Sequence, residues 1–189
     1  MIERYKKYLK YLDTKLAEMF KSQAPFIKCK KGCSLCCEQG EYPMSELEYI
    51  YIMFLYDKLN EKTKNLVNDN IINLINRHSN EKLYKCPFLI SGECSVYEAR
   101  AIICRTFGLI SYDKNGNKKI PFCVDENLNY SNVFDYNKSK ITRNAPDGTE
   151  PEAFNISREF LRNNKFESQY NIFFGDDKTL LDWLKEDFT

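Results

Sequence analysis

The sequence is poor in histidine, in glycine and in long apolar runs. Its 189 residues include a single histidine, His78. A Cys–His nucleophile pair would rest on that one residue, and its place at the end of a helical pattern reads as a cap. The seven glycines never form Gly-x-Gly, so there is no phosphate-cradling loop and no dinucleotide fingerprint. The longest apolar run, Tyr49 to Tyr56 (YIYIMFLY), is far too short to span a bilayer. The N-terminal stretch MIERYKKYLKYLDTKL is charged throughout and lacks the apolar region of a signal peptide. Neither sign of charge dominates: 28 Lys plus Arg stand against 27 Asp plus Glu, which argues against a general nucleic-acid footprint. These absences predict a cytoplasmic chain with neither membrane nor nucleic acid as partner.

What is plentiful is cysteine. The stretch CKKGCSLCC places Cys29, Cys33, Cys36 and Cys37 within nine residues, and Cys86, Cys94, Cys104 and Cys123 follow. A chain of this length can bury its own core and needs no disulfide staples. In a reducing compartment, closely spaced thiols more often bind metal than pair with one another. Cys33-x2-Cys36 is a two-ligand knuckle, and Cys29 adds a third thiol nearby. Neighbouring side chains diverge, so the Cys36–Cys37 doublet predicts two metal centres, or one multinuclear centre, with the chain passing between them. On that reading Cys36 joins Cys33 and Cys29, and Cys37 joins thiols of the 86–123 group. Eight thiols suffice for two four-thiolate sites. Lys28, Lys30, Lys31, Lys85, Arg100 and Arg105 lie beside the cysteines, where their charge can offset thiolates or simply be solvated. Arg100 and Arg105, in an otherwise apolar segment, are the better candidates for donors to sulfur or to a bound anion.

Around these thiols the periodicity is mostly helical. Tyr5, Tyr8, Leu9, Leu12, Leu16 and Met19 form an apolar stripe over residues 2–20, and Pro25 ends that segment. Ser45-Glu-Leu-Glu48 is a capping box that opens a helix to about Leu59. Leu66, Val67, Ile71, Leu74 and Ile75 mark a third helix ending near His78. Residues 86–94 read as a turn, and Tyr97 to Cys104 as two helical turns. Asn115-Gly116 signals a hairpin between residues 109–112 and 118–122. Residues 124–150 read as irregular. Two helices over about 151–164 and 178–186 should turn Phe154, Phe160, Leu161, Leu180, Leu181, Trp183 and Leu184 inward. The expected fold is a single domain over 1–189, mostly α with a small β-hairpin (α+β, irregular). Its metal-binding core spans 26–125, flanked by helices 2–20 and 151–187.

CKKGCSLCC, then CPFLISGEC, then SVYEARAIICRTFG resemble the YkgJ-like cysteine-cluster family of zinc- or iron-chelating proteins. That family's pattern is a CxxxCxxCC-type cluster, a CPxL…GxC turn and a (I/V)YExRPxxCRxF segment. Tyr97, Glu98, Arg100 and Arg105 match the third segment, while Ala101 stands where the family usually has proline. The resemblance covers residues 29–123 and implies that all eight cysteines ligate metal. It also implies a distant relation to flagellin lysine N-methylases.

Three functions are open on the residues and the resemblance together. One is a metal-binding protein whose thiolates hold an iron–sulfur cluster, such as [4Fe–4S], or zinc, or both; the density of the first cluster tilts the choice to iron–sulfur. The second is an iron–sulfur enzyme using S-adenosylmethionine to methylate a protein lysine. Cys29-x3-Cys33-x2-Cys36 has the spacing of radical S-adenosylmethionine enzymes, but the alternating strands of their barrel are missing from the pattern. The third is a structural zinc module presenting a surface to a protein partner.

Overall fold

The computed structural model describes residues 1–30, 32–77 and 83–189. Lys31 and His78 fall outside the described residues, and so do their expected roles. In chain order the elements are α1 (Ile2–Ser22), a 3-10 turn (Ala24–Phe26), α2 (Leu35–Glu38), β1 (Pro43–Ser45), α3 (Glu46–Tyr56) and α4 (Glu61–Arg77). The hairpin strands β2 (Leu89–Ile90) and β3 (Glu93–Cys94), a 3-10 turn (Tyr97–Ala99), α5 (Ile102–Thr106), β4 (Ser111–Tyr112) and β5 (Lys118–Lys119) follow. After a third 3-10 turn (Phe122–Val124) come β6 (Phe134–Asp135), β7 (Lys140–Ile141), α6 (Arg158–Leu161), α7 (Asn164–Tyr170), β8 (Asp177–Thr179) and α8 (Leu180–Phe188). The protein is mostly helical, with small antiparallel strand pairs, as the sequence predicts. No described helix is long and apolar enough to cross a membrane.

The chain folds into two compact units. The first comprises Met1–Lys31 and Thr106–Ile172. In it, α1 buries Tyr5, Tyr8, Leu9, Leu12 and Leu16, the stripe expected of an amphipathic helix. The Tyr8 hydroxyl donates to the Leu161 carbonyl at 2.5 Å, and its ring packs 5.4 Å from those of Phe166 and Tyr170 on α7. A separate cluster of Phe26, Ile110, Tyr130, Val133 and Ala145 is buried beyond the end of α1. The hairpin about Asn115-Gly116 forms, though its ladder is only Ser111–Tyr112 on Lys118–Lys119.

Two expectations for this unit fail. Residues 124–150 are not wholly irregular: Phe134–Asp135 pairs with Lys140–Ile141. Ser139 turns that hairpin at φ +50, a conformation no periodicity signals. The helix over 151–164 is also broken. Residues 154–156 instead run beside the hairpin, where Phe154 N–H donates to Ile110 and Tyr112 N–H donates to Phe154. Ser157 and then Asn163 act as N-caps and open the short α6 and α7. Phe160 consequently lies 47% exposed rather than inward.

The second unit comprises Gly32–Arg105 and Phe173–Thr189. Its α3 takes in the apolar run Tyr49 to Tyr56 as helix and buries Tyr49, Tyr51, Ile52 and Tyr56, and the Ser45–Glu48 capping box is present in full. Val67, Ile71 and Leu74 of α4 are buried as the spacing requires, whereas Leu66 is exposed. β1 pairs antiparallel with β8, from Pro43↔Thr179 to Ser45↔Asp177. That pairing brings α8 in, and Leu180, Leu181, Trp183 and Leu184 are buried as expected. The Trp183 indole stacks on Tyr49 at 5.4 Å and donates to the Met44 carbonyl.

Candidate metal centre

Cys36 and Cys37 ride on α2, a single turn opened at Ser34. Backbone pairing then draws the second cysteine group onto the first. Gly40 and Tyr84 form an antiparallel bridge, and Cys86 N–H donates to the Cys37 carbonyl at 2.8 Å. The β2–β3 hairpin, with Leu89 opposite Cys94, carries the next thiol. Cys104 lies on α5. Thus five thiols of the second unit come from four pieces of backbone.

Four of them, Cys36, Cys86, Cys94 and Cys104, act on one another's charge. The Cys36 thiol is pushed up by the sulfur of Cys37 at 4.0 Å, then by burial. Burial and then Cys104 push Cys86 up, with Cys94 and Cys36 adding to it. Burial raises Cys94. Cys104 is pushed up to about 12 by burial, then by Cys36 and Cys94. The buried Tyr42 faces the same set: burial raises its hydroxyl, and Cys86, Cys37, Cys104 and Cys36 raise it further. That hydroxyl donates to the carbonyls of Cys36 and Tyr84, fastening the two cysteine segments together.

Cys37 N–H donates to the Ser34 carbonyl at 2.7 Å, an i→i−3 bond that tightens the turn. The two sulfurs lie 4.0 Å apart. Two sulfurs on one tetrahedral ion with bonds of ~2.3 Å lie roughly 3.8 Å apart, so the doublet suits a shared ion.

Arg100 is a cation that acts on these thiols. Its charge favours the ionised forms of Cys36, Cys94 and Cys104. It stacks on the Tyr97 ring at 3.7 Å and donates to the Tyr97 carbonyl at 3.1 Å. Arg105 is 7% exposed, and its guanidinium donates to the backbone carbonyls of Arg100 (2.7 Å) and Glu98. Those bonds hold open a break in what the sequence predicts as two continuous helical turns: a 3-10 turn ends at Arg100, which is extended (φ −49, ψ 131). Extended backbone is what a residue before proline adopts, matching the proline usual at position 101 in the resembling family. Of the neighbouring lysines, Lys85 pairs with Glu38 at 2.9 Å, and Lys28 donates to the Asn127 carbonyl and the Ser131 hydroxyl.

Cys33 is exposed, just ahead of α2. Cys29 and Cys123 belong to the first unit, where both bear on Tyr130. Cys29 is exposed and Cys123 buried, and no disulfide joins any of the eight. Among the described residues, no group of three or more Cys, His, Asp or Glu side chains is drawn in tightly enough to hold an ion as it stands.

Two positioning groups escape the sequence reading. Glu48, 1% exposed, does more than close its capping box: one oxygen accepts from the Ser45 amide and hydroxyl, and the other accepts from Ile102 N–H at 2.6 Å. It therefore pins the start of the helix that carries Cys104. Asn129, fully buried, donates to the Cys29 sulfur at 3.1 Å. The capping-box spacing announces half of Glu48's role; nothing local announces Asn129.

These features define a cysteine-cluster protein of mostly helical fold. The family described as "CxxCxxCC: Putative zinc- or iron-chelating domain" matches residues 28–147, more than half of the sequence, and the chain belongs to it. The match takes in all eight cysteines and both arginines. No curated protein and no solved structure matches the chain.

Proposed function

We propose that the chain holds zinc or iron through its cysteine thiolates, with Cys36, Cys37, Cys86, Cys94 and Cys104 as the central donors. The carrying observation is the Cys36–Cys37 pair at 4.0 Å, beside Cys86, Cys94 and Cys104, whose thiols are pushed up by burial, then by one another and by Cys36. All-sulfur donors suit zinc or iron. The close doublet favours one tetrahedral ion, because thiolates on different irons of a cluster are held further apart by the irons and sulfides between them. Cys29, Cys33 and Cys123 are further proposed ligands, as the family resemblance implies. A bound ion would supply the central positive charge; Arg100 offsets part of the thiolate charge, Tyr42 fastens the two segments, and Glu48 fixes the Cys104 turn.

An iron–sulfur cluster is the second reading, favoured by four cysteines within nine residues. Anaerobic purification with metal and acid-labile sulfide analysis separates the two. Metal without sulfide supports the mononuclear reading, iron with equimolar sulfide supports the cluster, and a metal-free chain after reconstitution defeats both.

A further inference from the structure

Asn129 stands among the few fully buried polar side chains, in a loop that pays for its shape. Asn127 (φ +57) and Tyr130 (φ +64) on either side of it are both left-handed. For an aromatic residue that conformation is an outlier, costing on the order of 1–3 kcal/mol, and it persists only where the surroundings enforce it. The enforcement is visible. Glu126 and Leu128 N–H both donate to the Cys123 carbonyl, and Tyr130 N–H donates to the Phe26 carbonyl at 2.9 Å. The loop is thus anchored at Cys123 and laid along the backbone that leads to Cys29.

Every bonding capacity of the Asn129 amide is used. Its oxygen accepts from Lys28 N–H at 2.8 Å and Cys29 N–H at 3.0 Å. Its nitrogen donates to the Gly108 carbonyl at 2.9 Å and to the Cys29 sulfur at 3.1 Å. Two backbone donors on one side and a carbonyl on the other fix which end is nitrogen. Gly108 keeps the space clear: at φ +101, a Cβ there would lie 2.8 Å from the Asn129 nitrogen and 3.5 Å from the Cys29 sulfur. A fully buried amide that spends one proton on sulfur does more than brace a loop, because carbonyl oxygen is the better acceptor.

We infer that Asn129 is a positioning residue for Cys29: it orients that sulfur and donates a hydrogen bond to it in the metal-bound protein. This rests on the metal-binding function proposed above. A hydrogen bond to a ligating thiolate lowers its electron donation to the metal, and such outer partners are worth about 10–100-fold in metal retention.

The test uses the full chain loaded with cobalt(II), whose sulfur-to-metal charge-transfer bands report each thiolate. Wild type, Asn129→Asp, which turns the donor into an acceptor in the same shape, and Asn129→Ala are compared. Both variants should fold, shift the charge-transfer bands to lower energy and release cobalt to a chelator about 10–100-fold faster. A folded variant with wild-type bands and release rate, changed only in melting temperature, overturns the assignment. If neither variant folds, the wild-type chain decides: exchange of zinc for cadmium should move the Asn129 side-chain amide protons in the NMR spectrum, and unmoved protons overturn it. A wild-type chain with no thiolate-to-cobalt bands would instead defeat the metal-binding function itself.

Discussion

At the scale of single residues, burial separates the thiols. Cys104 faces other sulfurs from a half-buried position, whereas Cys33 is exposed. Cys104→Ser should therefore speed metal release to a chelator by more than about 100-fold, beyond what loss of an outer partner does, and Cys33→Ser should have the smaller effect. Equal release rates for the two would contradict this ordering. Arg105 makes a different prediction. Its planar fork reaches two carbonyls at once, which an ammonium cannot reproduce. Arg105→Lys should destabilise the fold by about 1.5–3 kcal/mol in urea titration, the range for hydrogen bonds from a charged group. A change within about 0.5 kcal/mol would mark it as a dispensable surface charge. The sequence made both arginines candidates by neighbourhood, but not their division of labour. That Arg100 faces the thiols while Arg105 holds the backbone depends on the break at Arg100, a tertiary feature.

At the scale of elements, legibility follows locality. The stripe of α1, the capping box of α3 and the turn of Asn115-Gly116 rest on contacts within a few residues, and all three appear where the pattern puts them. The failures involve partners far along the chain. Residues 151–157 have polar, helix-compatible spacing, yet pairing of Phe154 with Ile110 and Tyr112 keeps them extended. The second role of Glu48 is hidden for the same reason, since Ile102 lies 54 positions away. This gives a graded prediction. Ser45→Ala removes one cap and should cost about 1 kcal/mol. Glu48→Gln disturbs both α3 and α5, because one of its two acceptors becomes a donor facing a donor. It should cost more than Ser45→Ala and also accelerate metal release, whereas Ser45→Ala should leave release nearly unchanged. Identical effects on release would show that Glu48 acts on α3 alone.

At the scale of the whole molecule, the cysteines of the second unit lie on elements that secondary structure alone leaves scattered. Five are brought together by the Gly40–Tyr84 bridge, a hairpin and a short helix, none of which is long enough to be stable by itself. Metal-binding free energy then becomes folding free energy for this region. Removing the ion with a strong chelator should lower the melting temperature and the far-ultraviolet circular dichroism together, and an unchanged dichroism after verified removal would contradict that coupling. Thiolate ligation of zinc or iron is read out by X-ray absorption at the edge of the metal that copurifies with the chain. The first shell should be sulfur at ~2.3 Å with no nitrogen or oxygen. A shell dominated by nitrogen or oxygen would contradict it.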